Sequence, residues 1–137
     1  MAPPPGQAYI DRMSDPRRLR GRAGEDAAAT HLTGRGLDVV ERNVRSRLGE
    51  LDLVCRDQDV WVFVEVKARG PGWGDPAGAA VTAAKRRRLT LLARHYLKWR
   101  GLGEPRCRFD VVDVTLGPDG GVARIRHLRG AFEGEAW

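Results

Sequence analysis

Val60-Trp61-Val62-Phe63-Val64-Glu65-Val66-Lys67-Ala68-Arg69 decides the fold. At the two-residue period of a β-strand, Val60, Val62, Val64, Val66 and Ala68 share one face, and Trp61, Phe63, Glu65, Lys67 and Arg69 share the other. One face is wholly apolar; the other turns from aromatic to charged halfway along. Trp61 and Phe63 argue that the charged half does not simply face open solvent. Glu65 and Lys67 point the same way, roughly 7 Å apart along the backbone.

On the N-terminal side, Glu50 to Arg56 forms a preceding strand, and the short connection makes the two an antiparallel hairpin. A two-residue turn at Gln58-Asp59 pairs residues whose numbers sum to 117, setting Asp52 opposite Glu65 and Glu50 opposite Lys67. A three-residue loop opposes Asp52 to Val64 instead. The expected register is an odd sum, or a bulge with the same effect, because only that keeps the two acids together.

Further out, Gly21 to Gly36 has helical period with Glu25, Ala28, Ala29 and Leu32 on one face and Gly36 as its stop. Leu37 to Arg42 reads as a strand and Asn43 to Gly49 as a turn-rich segment. After the glycine-rich Gly70 to Gly74 loop, Asp75-Pro76 starts a helix running to about Arg100, closed by Gly101, with Leu89, Leu92, Ala93 and Tyr96 on its buried stripe. Cys107 to Leu116 and Val122 to Leu128 are two more strands. The fold expected is α/β, a mixed β-sheet of about five strands in the order helix, three strands, helix, two strands. Residues 1–16, rich in proline, read as a flexible tail and 17–137 as one domain.

The net charge of +6 and pI near 10.1 favour polyanionic partners. Of the 24 basic residues only Lys67, Lys85 and Lys98 are lysines, so Lys67 and Lys85 stand out where arginine is the default cation. Lys85, Arg69, Arg86, Arg22 and Arg45 are the candidate nucleic-acid contacts. Cys55 and Cys107 lack the spacing of a zinc site, and the three histidines share no pattern of a histidine-based hydrolase. No P-loop, dinucleotide fingerprint or serine elbow is present. The sequence has no membrane-length apolar run and no export signal, which places the expected protein in the cytoplasm.

Two carboxylates as close as Asp52 and Glu65 repel unless a cation lies between them, and Mg²⁺ takes carboxylate oxygens together with water and phosphate. Glu25, an acid on an inward helix stripe, is a further candidate ligand. Such a metal would polarise a phosphodiester while Lys67 orients the attacking water. The bland alternatives are an ion pair between Glu65 and Lys67, a first-turn acid at Glu25 and a snorkelling Lys85.

Gly49-Glu50-Leu51-Asp52 followed by Glu65-Val66-Lys67 resembles the PD-(D/E)XK nuclease superfamily, and more closely the YraN family of small bacterial proteins. That resemblance runs through Gly24-Glu25, Arg42-Asn43-Val44-Arg45, Phe63 to Lys67, Lys85, Arg108-Phe109-Asp110 and Ala131-Phe132; Gly130 departs from it, standing where the family often has asparagine. It implies a restriction-endonuclease-like core, nearest the Holliday junction resolvase branch, with Asp52 and Glu65 holding Mg²⁺ (or Mn²⁺), Lys67 assisting and Glu25 contributing from the first helix. The activity implied is endonucleolytic cleavage of DNA, branched or single-stranded, by a chain that could pair as a homodimer. A catalytically silent module binding nucleic acid or a protein partner is the competing expectation.

Overall fold

A computed structural model describes residues 16–70 and 81–133, with side chains from residue 21 onward. Among them run α1 (Pro16–Gly34), β1 (Asp38–Ser46), β2 (Gly49–Asp57), β3 (Val60–Arg69), α2 (Ala83–Trp99), β4 (Cys107–Leu116) and β5 (Val122–Phe132). The five strands lie in chain order in one sheet. β3 and β4 run parallel through the α2 crossover, and every other neighbouring pair is antiparallel. This is the expected mixed α/β sheet with helices on its faces. No helix of the described residues is long and apolar enough to cross a membrane.

Alternation along β3 divides the core as its sequence requires. Val62 and Val64 pack with Ala28 and Leu32 of α1, while Trp61 and Phe63 pack with Leu89, Leu92 and Tyr96 of α2. Removing this apolar surface from water, at roughly 25 cal/mol per Å², is the main force holding both helices to the sheet. Both helices end as their glycines demand. Gly36 (φ 91°) and Gly101 (φ 64°) adopt left-handed backbone, and the next residues, Leu37 and Leu102, donate N–H bonds back to the Leu32 and Leu97 carbonyls.

Four boundaries differ from the sequence expectation, and one is the end of β5, which runs on past Leu128 to Phe132. The first helix begins at Pro16, five residues before Gly21. β1 continues through Asn43 to Ser46 because Asn43 takes a positive φ of 53° within the strand, a conformation asparagine tolerates, so only Arg47 and Leu48 remain as the turn. α2 begins at Ala83, where Thr82 accepts a bond from the Lys85 N–H at 3.2 Å and so caps the helix; Val81 and Thr82 are not helical. The Gly70 to Gly74 loop beyond Gly70, the Asp75-Pro76 start and the N-terminal tail before Pro16 lie outside the described residues.

α1 sits against β3 at Gly24, where an added Cβ would lie 2.5 Å from the Ala68 Cβ. The neighbouring residue in the helix is Glu25, so this close approach sets how near that acid comes to the sheet. Gly24→Ala gains helix propensity of about 1 kcal/mol but forces the helix off β3. A net loss of about 1–2 kcal/mol is expected in urea unfolding, with an unchanged m-value.

Candidate active site

The β2–β3 ladder follows the two-residue turn: Asp57 pairs with Val60, Cys55 with Val62 and Leu53 with Val64, all summing to 117. The turn is made by Gln58 at φ 56°. Pairing ends at Leu53 and Val64, one step short of Asp52 and Glu65. At that step the Val66 N–H donates to Asp52 Oδ2 at 2.8 Å, so a side chain satisfies the backbone group there.

Core packing changes sides at the same place. Leu51 joins the cluster beneath α2, whereas Leu53 joins the one beneath α1, although residues two apart in a regular strand share a face. Glu50 and Asp52 meet Glu25 of α1, with one carboxylate oxygen from each lying within 4.8 Å of the others. This is spacing for a shared cation. Glu50 was not singled out as a ligand from sequence; its place one alternation before Asp52 was the available signal.

Glu65 is 9% exposed and forms an ion pair with Lys85 Nζ at 2.5 Å. It does not belong to the three-acid group, yet its charge reaches Asp52. Burial first and Glu65 second push the Asp52 carboxyl up to about 7; Glu25 and Glu50 add to the rise, and the Val66 N–H opposes it. Burial likewise raises Glu25, against a hydrogen bond from the Asn43 side chain. Lys67 is lowered by burial, then by Lys85 and Arg69, with Glu65 and Asp113 opposing. The acids pushed toward neutrality make a crowded site that a divalent cation would relieve, while Lys67 beside them is pushed toward the free amine by burial and by its cationic neighbours.

The candidate cations are spread over several roles. Lys85 is held by Glu65, and Arg69 lies 3.6 Å from Asp113, the register partner of Lys67 on β4. Arg45 is 75% exposed and 3.5 Å from Glu50, at the rim of the acid group. Arg22 is exposed on α1, and Arg86 is partly buried on α2.

The model of the uncharacterised protein family UPF0102 matches residues 24–114 of the chain. A UPF0102 protein of Symbiobacterium thermophilum is 55% identical over 116 residues, covering 84% of this chain and 97% of its own. One from Pelotomaculum thermopropionicum is 49% identical over 121 residues, 88% of this chain and 100% of its own, and one from Rhodococcus jostii is 50% identical over 113, 82% and 94%.

Asp52 keeps its proton to about pH 7 when folded and loses it near 3.8 when exposed. The folded chain therefore binds more protons than the unfolded chain between these values, and stability from this group falls as pH rises through that window. Asp52→Asn, which keeps an acceptor for Val66, should flatten that fall and be more stable than the parent at pH 8, by on the order of 1–3 kcal/mol. Urea unfolding at pH 5 and pH 8 measures it.

Proposed function

The chain belongs to the uncharacterised protein family UPF0102, the YraN family, and on that premise we propose that it is a metal-dependent endonuclease acting on the phosphodiester bonds of DNA. The observation that carries this reading is the meeting of Glu25, Glu50 and Asp52 at the point where β2 leaves β3, with Glu65 and Lys67 on the adjoining strand.

Glu25, Glu50 and Asp52 would hold the cation, Mg²⁺ or Mn²⁺, with Glu65, paired to Lys85, beside them on β3. Bound there, such an ion acts as a Lewis acid toward a phosphoryl oxygen and lowers the pKa of water. The chain supplies the rest. The Val66 N–H fixes the orientation of Asp52, and Asn43 fixes Glu25. Lys67, whose proton is held less tightly than an ordinary lysine's, would orient the attacking water or steady charge on a phosphate oxygen. Arg45, Arg69 and Lys85 set positive charge beside these groups, suited to a polyanion.

A second reading is a nuclease-fold module that binds nucleic acid without cutting it. The Lys85–Glu65 ion pair favours it, since Glu65 already has a partner at 2.5 Å. Labelled duplex, flap and junction DNA incubated with Mg²⁺ separates the two. Glu65→Ala and Lys67→Ala should each slow cleavage by at least about 100-fold while DNA binding persists. Undiminished cleavage by a verified Glu65→Ala preparation, or binding without turnover on every substrate, overturns the nuclease reading.

A further inference from the structure

A groove of about 710 Å³ runs between β1 and the C-terminal half of α2. Arg45 and Arg47 line its β1 wall, and His95, Tyr96 and Trp99 line the α2 wall. Trp99 is 66% exposed and Leu48 in the turn is 48% exposed, so the groove carries large apolar surface. Trp99 stands edge-on to the buried Tyr96 ring at 6.3 Å, and Tyr96 is pinned through its hydroxyl to Glu41 at 3.0 Å. Arg100 bonds the same Glu41 at 2.7 Å and lies over the Tyr96 ring. The exposed indole thus stands on a fixed support.

The groove and the acid group share β1 as a boundary. Asn43, on its wall, bonds Glu25, and Arg45, also on its wall, pairs with Glu50. An occupant lying along β1 would run past Asn43 and Arg45. It should be anionic where Arg45 and Arg47 stand and flat where Trp99 stands, and a single-stranded polynucleotide has both properties in one chain. Sites of about 300–1,000 Å³ take ligands of modest size, which suits a short unpaired stretch rather than a duplex.

We propose that this groove seats unpaired nucleotides of the DNA strand presented to the acid group, with a base stacked on Trp99 and the backbone held by Arg45 and Arg47. The proposal rests on the nuclease reading of the adjacent carboxylates and narrows its substrate to DNA with a single-stranded segment.

The test measures binding alone, on the full chain in EDTA, by anisotropy of labelled oligothymidylate and of a blunt duplex of equal length. Trp99→Ala should weaken oligothymidylate binding about tenfold, as loss of one base–aromatic stack predicts. Trp99→Phe should restore most of it, Arg47→Ala should reduce its salt dependence, and duplex binding should not follow the Trp99 changes. Unaltered oligothymidylate affinity in Trp99→Ala overturns the proposal, as does equal loss on both nucleic acids. A parent dimer that Trp99→Ala dissociates also overturns it, because the groove is then an interface between copies. Since no turnover is read, failure of DNA cleavage refutes the nuclease reading without deciding this result.

Discussion

A single backbone N–H, that of Val66, ties the site to the sheet. β2 and β3 pair as far as Leu53 and Val64, and beyond that point a ladder partner for Val66 is replaced by the Asp52 carboxylate. A buried amide must be paired, so the parting of the strands and the orientation of Asp52 are one event. The same parting lets Glu50 and Asp52 turn toward Glu25, which α1 brings in through its close approach at Gly24. Negative charge is concentrated there by the backbone, against its own repulsion.

A second buried carboxylate shows what that arrangement is not. Asp110 is fully buried on β4, yet it accepts bonds from Arg108 at 3.0 Å, His127 at 2.7 Å and the Gly130 N–H at 2.9 Å. Burial raises its pKa, but those bonds overcome it and hold the group below the ordinary carboxylate range. Arg108 reaches on to Asp57 at 2.7 Å, linking β2 and β4, while His127 and Gly130 bring in β5. Asp110 is saturated by donors and fastens strands together. Asp52, which accepts from the Val66 N–H and has Glu65, Glu25 and Glu50 as acidic neighbours, is pushed the other way.

Much of this was legible along the chain. The valines of β3 fixed its inward face, the need to keep Asp52 near Glu65 pointed to an odd register, which the structure has at 117, and Gly36 and Gly101 marked both helix ends. The misreadings have local causes. Asn43 looked like a turn residue and takes a turn residue's backbone angle, but neighbouring β2 keeps it inside a strand. Asp75-Pro76 has the chemistry of a helix start, yet it is Thr82 that caps α2. The ion pair of Lys85 with Glu65 was hidden for another reason, the distance between the two in sequence.

By itself the sequence determined which residues alternate together, how many strands there are and where the hairpin turns, because these depend on periods of two and 3.6 residues and on turn chemistry. It could place Glu65 and Lys67 on one face of one strand. Only the tertiary structure decided that Glu50 joins Glu25 and Asp52, that Glu65 takes Lys85, and that a groove opens beside Trp99 between β1 and α2. Those outcomes turn on how closely a helix docks and where two strands separate, and such distances between elements come from packing rather than from any local period.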